Sequence, residues 1–238
     1  MLVLSKKRIL LMLCMVFISL YAFSFKIAIQ NSETIETVAV PSSSRVIVID
    51  AGHGTPDERS RKFKWNYRSG DKFKNSIKTA DLLEQSGSTV ILTRSDENSI
   101  YELDSDTIRE KKISDIHNRV KIGNESSADI FVSIHLNKIL ESKYSGWQTF
   151  YKQNNEESKK LATAIQNNLN DAIQKENNRV PAKLNTVYIM KHVEIPITIV
   201  ECGFLSNPEE EQNLLTDEYQ DKLAWGIYNG INDYFYNQ

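Results

Sequence analysis

The sequence is poor in cysteine, in net charge and in repetition. Its two cysteines lie in unlike surroundings, Cys14 inside an N-terminal apolar run and Cys202 directly after Glu201. They offer no disulfide framework. Cys202 ends an apolar strand and has no histidine close in sequence, so it reads as a small buried residue rather than a nucleophile. A net charge of −2, from 29 basic against 31 acidic residues, gives no reason to expect a nucleic-acid partner. No segment repeats. The chain of 238 residues, 40% of them hydrophobic, suffices for one well-packed domain plus an extension.

The extension is N-terminal. Lys6, Lys7 and Arg8 precede an almost uninterrupted apolar run from Ile9 to Phe25, the pattern of a signal peptide or signal anchor over residues 1–26. Ala22-Phe23-Ser24 is a poor cleavage site, which favours an uncleaved membrane anchor. Cys14 lacks the small preceding residue of a lipoprotein. Residues 27–44 are polar, include Pro41-Ser-Ser-Ser44 and lack helical periodicity, so they read as a linker holding the domain off a membrane. The domain itself is expected over 45–238.

Within it, three continuous apolar runs each end in a polar residue. Arg45-Val-Ile-Val-Ile-Asp-Ala-Gly-His-Gly54 ends at His53, Asp129-Ile-Phe-Val-Ser-Ile-His135 at His135, and Ile195-Pro-Ile-Thr-Ile-Val-Glu201 at Glu201. Such runs are strands buried on both faces. The expected fold is therefore α/β: a single domain with a mostly parallel or mixed twisted sheet and helices on both faces. In such folds the site lies beyond the carboxyl ends of the strands, which brings His53, His135 and Glu201 together. Two imidazoles and a carboxylate there suit zinc, whose hydrolytic sites use three protein ligands and keep a position for water. A lone strand-end histidine also serves as a hydrogen-bonded structural residue. Burying three such groups without partners would be costly, which favours a site.

Further strands are expected at 88–93, 146–151 and 186–190. Helices are expected near 112–123, over 156–175, after Asn207-Pro208, where a cap precedes a first-turn proline, and over 218–236.

AGHG, SIHLN and ECGFLSNPEE, in this order, resemble the zinc-dependent N-acetylmuramoyl-L-alanine amidases of the amidase 3 family. SDIHNRVKIGNESSADIFVSIHLN and the C-terminal tail resemble its spore-cortex, germination-specific branch. The resemblance spans Arg45 to Phe235 except for one window. It implies Zn2+ held by His53 and His135, with Glu201 as general acid/base, and hydrolysis of the bond between N-acetylmuramic acid and L-alanine in peptidoglycan. In the spore cortex that cut is the first step towards muramic-δ-lactam. The implied partners are peptidoglycan stem peptides, an accessory lipoprotein or deacetylase of the cortex pathway, and a membrane through the N-terminal segment, with an extracytoplasmic location. No wall-binding repeats are expected after the domain.

The window is 59–81. The resemblance places the third zinc ligand, a glutamate, at the position of Arg68, and a guanidinium cannot ligate zinc. The helix face to be buried passes through Arg68, Asp71, Asn75, Thr79 and Leu82. Phe73, Ile77, Ala80 and Leu83 offer a narrower stripe, predicting a rotated or poorly packed helix. Back-translated and read one base later, the window places glutamate at 68 and isoleucine, isoleucine and leucine at 71, 75 and 79. One inserted base near codon 59 and one deleted near codon 81 account for this, and for the local density of lysine and arginine. The polypeptide is therefore expected to bind zinc weakly and hydrolyse little. Two alternatives are a catalytically inactive peptidoglycan-binding or regulatory homologue and a zinc peptidase acting within the stem peptide.

Overall fold

The computed structural model describes Lys7, Met15 and residues 17–19, 39–55 and 69–238, the side chains of 69–73 excepted. Chain contacts divide it into two units, Met1–Ala39 and Val40–Gln238, and every element named here belongs to the second.

Six strands form one sheet: β1 (Val46–Ala51), β2 (Thr89–Leu92), β3 (Ile130–Asn137), β4 (Gln148–Lys152), β5 (Ala182–Leu184) and β6 (Ile197–Phe204). Their order is β2-β1-β3-β6-β4-β5. The pairs β2/β1, β1/β3 and β3/β6 are parallel and β4 runs antiparallel to β6. This is the expected mixed sheet. Successive residues alternate between two cores, as a period of two demands. Ile47, Ile49, Val132 and Val200 face one core, and Val48, Phe131, Ile197 and Ile199 the other.

Helices cover both faces. On the first lie α1 (Ser69–Gln85), α3 (Glu156–Ile173) and α6 (Asp217–Tyr236), which bury Leu83, Leu161, Ile165, Leu223 and Ile227. On the second lie α2 (Ile108–Glu125) and the short α4 (Tyr188–His192), with Val120, Ile189 and Met190. A further short helix, α5 (Pro208–Leu214), follows β6. Local sequence sets the starts. Thr107 and Glu110 form a capping box before α2, and Asn207 accepts from Glu209 and Glu210 with Pro208 opening α5, so orphan N–H groups are satisfied.

Two expectations are corrected, and a third is met in one of its alternatives. The strand expected at 186–190 is absent: Val187 caps α4 instead, and the strand lies at Ala182–Leu184. Adjacent Ile189 and Met190 are both buried, which a helical turn permits and a half-covered strand does not.

α1 is not rotated. Asn75 and Thr79 stay buried, joined by Ser76, Ala80 and Leu83. The Asn75 amide nitrogen and oxygen and the Ser76 hydroxyl have no hydrogen-bond partner among the described residues. Thr79 satisfies itself by donating to the Asn75 carbonyl at 2.8 Å. Lys78 reaches from this helix to Asp221 and, at 3.6 Å, to Asp217 on α6.

The second correction concerns the membrane. Among the described residues no helix is long and apolar enough to cross one. Crossing takes about 20 apolar residues, and the 20-residue α6 carries Asp217, Glu218, Asp221, Lys222 and Asp233. The expected membrane contact is thus without support, and the segment on which it was read, 1–26, lies almost wholly outside the described residues.

Candidate active site

The carboxyl ends of β1, β3 and β6 meet as the strand pattern predicts. His135 and Glu201 are register neighbours on β3 and β6. His53 lies just past β1, its ring edge-on to that of His135 with centroids 4.9 Å apart. A cleft of about 160 Å³ opens here, lined by both histidines, by Asp50 and Arg119, and by α2 and α4. Among the described residues lining it Glu201 is not present. Glu201 sits half-buried beside His135, with Gln148 of β4 as its other register neighbour.

The approach of the two histidines depends on Gly52. A Cβ at that position would lie 2.3 Å from the His135 ring, so any side chain would displace the imidazole. His53 itself is left-handed, with φ of 60°, which a residue with a Cβ adopts at a cost of about 1 to 3 kcal/mol. Two arginines hold this backbone. Arg119 donates to the carbonyls of Ala51 and His53, each at 2.8 Å. Arg94 donates to the carbonyls of Ala51 at 2.8 Å and Gly52 at 3.2 Å.

Beneath the histidines lies a closed ionic network. Asp50 accepts from Arg119, from Ser133 and from Thr93 at 2.7 Å. Arg119 also donates to Asp115, one helical turn earlier, at 2.9 Å. Burial opposes ionisation of Asp50, yet Arg119, His135 and the two hydroxyls hold its carboxyl below the ordinary carboxylate value. Burial likewise opposes the charge on Arg119, but Asp50 and Asp115 raise its pKa further. Burial and then the neighbouring Arg119 push Arg94 down to about 10. The fully buried Cys202 thiol is raised by burial and then by the Glu201 charge, so it stays protonated and is no nucleophile.

The donor set does not fit the expected zinc. Among the described residues no group of three or more histidines, cysteines or carboxylates is placed to hold a metal ion. His53 and His135 contribute two imidazoles, while Asp50 is committed to Arg119, Ser133 and Thr93. The expectation of a Zn2+ cofactor is corrected accordingly, and with it zinc-dependent hydrolysis. Arg68, at the position where the resemblance requires a third ligand, lies outside the described residues.

Asp50, Arg94 and Arg119, which hold the backbone and charge beneath the histidines, are residues that reading the sequence did not find. A signal existed for one pair: Asp115 and Arg119 stand four apart on a helix, the spacing of an ion pair. Arg119 to Asp50 spans 69 residues and left no local trace.

Comparison with known proteins gives a consistent picture. The family model described as Amidase_3, N-acetylmuramoyl-L-alanine amidase, matches residues 47–233. The germination-specific N-acetylmuramoyl-L-alanine amidase of Bacillus subtilis (strain 168) is 34% identical over 213 residues, 90% of this chain and 89% of that protein. The CwlD amidase of Clostridioides difficile, solved in complex with the GerS lipoprotein, matches with a TM-score of 0.76 at 38% identity. That match covers 82% of this chain and 100% of that one. An N-acetylmuramoyl-L-alanine amidase from Clostridium difficile 630 matches with a TM-score of 0.69 at 27% identity, covering 83% and 100%.

Proposed function

Because the chain belongs to the N-acetylmuramoyl-L-alanine amidase family, a family of hydrolases acting on linear amide bonds, we propose that it is a peptidoglycan-binding member that keeps the groove without metal-dependent hydrolysis. One observation carries this reading. The cleft assembles His53 and His135 on a rigid ionic base, yet the described residues supply no third donor for a metal. Fold and groove are retained while the metal donor set among the described residues is incomplete.

In this reading His53 and His135 form the floor on which a wall fragment rests, and Glu201 flanks it. Domain 45–238 carries the binding. The relatives support action outside the cytoplasm at the cell wall, and the germination-specific relative supports a spore context. An N-terminal export segment over 1–26 accords with that location.

Purified chain incubated with peptidoglycan sacculi tests the reading in one tube. It is expected to co-sediment with the sacculi and to release no peptides beginning with L-alanine. Release of such peptides at the rate of an intact amidase overturns it, as does failure to sediment.

A further inference from the structure

Trp225 stands out of α6 where packing does not need it. The buried face of that helix carries Leu223, Ala224 and Ile227, whereas Trp225 is 50% exposed. Its ring lies 5.4 Å from that of Tyr228, one turn on, at an interplanar angle of 31°, so a neighbour restrains its orientation. Beside it a groove of about 540 Å³ runs between α6 and α1, with Asp81, Leu82 and Gln85 on the α1 side. This volume is in the range of sites that take a small ligand. The groove belongs to the helical layer across the sheet from α2 and α4, which line the histidine cleft.

The walls are tied together and their charge is set. Lys78 reaches from α1 to Asp221 and Asp217 of α6, and Lys222 is held by Glu218 at 2.8 Å. Both lysines line the groove against three carboxylates, Asp81, Glu218 and Asp221, so the opening is net negative and repels an anionic polymer. It suits a protein partner no better. Interface cores are apolar and poor in lysine, aspartate and glutamate, whereas here Ala224 is buried and Leu82 half-buried, which leaves Trp225 as the large apolar surface among charges. What fits is an uncharged ligand with one flat apolar face and a polar edge. A sugar ring is such a ligand: its axial C–H bonds lie against the electron-rich face of an indole. Asp81 and Gln85, one turn apart on α1 and both exposed, offer an acceptor and an amide to its edge.

We propose that the groove between α1 and α6 is a second carbohydrate site, which takes an uncharged N-acetylhexosamine of a glycan strand. The sugar ring stacks on Trp225, a hydroxyl donates to Asp81, and the acetamido group exchanges hydrogen bonds with Gln85. The proposal rests on the peptidoglycan-binding reading for the source of the glycan and adds a surface separate from the cleft. Two sites on one chain hold a polymer more tightly than either does alone.

Calorimetric titration of the whole chain with the soluble tetramer of N-acetylglucosamine tests this. Native chain is expected to bind it, and Trp225→Ala to weaken binding at least about tenfold and Asp81→Ala about fivefold. Trp225→Phe, which keeps a flat ring, is expected to stay within about threefold of native. Tyr236→Ala removes an exposed aromatic from the same helix outside the groove and is expected to change nothing. Absence of binding by the native chain overturns the proposal, as does binding that survives Trp225→Ala or is lost in Tyr236→Ala. A dimer in sedimentation velocity that Trp225→Ala disperses gives the groove to a second copy of the chain and overturns it too. Sedimentation with sacculi separates this site from the reading beneath it. A chain that sediments but ignores the tetramer keeps the general reading and loses this one, whereas a chain that binds the tetramer through Trp225 yet fails to sediment keeps the site and loses the wall as its source of glycan.

Discussion

Arg119 donates to the backbone carbonyl of His53 at 2.8 Å, so the left-handed residue at the floor of the cleft is held by a buried guanidinium. The same side chain neutralises Asp50. Replacing it therefore strips one partner from a buried ion pair, a change that costs about 3 to 5 kcal/mol. Arg119→Ala is expected to lower the urea midpoint accordingly and to weaken muropeptide binding. An unchanged midpoint would show that the pair adds nothing.

α1 makes the opposite prediction. Asn75 and Ser76 bury three polar atoms without partners among the described residues, and each such atom costs about 1 to 3 kcal/mol. Asn75→Ile, alone or with Thr79→Leu, is expected to stabilise the fold by at least about 1 kcal/mol in chemical denaturation. These are the residues that the reading frame one base later supplies at 75 and 79. Destabilisation by Asn75→Ile would mean that the polar face is accommodated in some other way.

How much of this was legible in the sequence follows from the range of each signal. β1, β3 and β6 were legible because a strand covered on both faces is a continuous apolar run. The meeting of His53 and His135 followed from where those runs end. α4 was misread because five residues are too few to tell a period of two from one of 3.6. Of the face counted on α1, Asn75 and Thr79 are buried although polar, because helical geometry rather than hydrophobicity sets the count, and Ala80 and Leu83 of the narrower apolar stripe are buried beside them. The clamp on His53 was invisible, since Arg94 and Arg119 act through backbone carbonyls distant in sequence.

Asp50 gives a pH dependence of defined sign. Its folded-state pKa lies below the ordinary value of 3.8, so its contribution is complete above that value and is lost as pH falls through the folded one. Stability of the native chain is expected to fall more steeply below about pH 4 than that of Asp50→Asn, and the gap between them is expected to narrow. Parallel acid unfolding curves would argue against the assigned shift.

Gly52→Ala tests the geometry of the cleft. The added methyl group meets the His135 ring, and overpacking of this kind costs about 1 to 3 kcal/mol. The expected result is a shifted His135 ring resonance and weaker muropeptide binding. An unchanged spectrum would place the His135 ring farther from position 52 than this close approach.

The most direct test of the central claim is the zinc content per chain after exhaustive dialysis from a zinc-loaded sample. Two imidazoles with no third protein donor among the described residues predict a content far below one zinc per chain. Retention of close to one per chain would contradict the account and show a complete metal site.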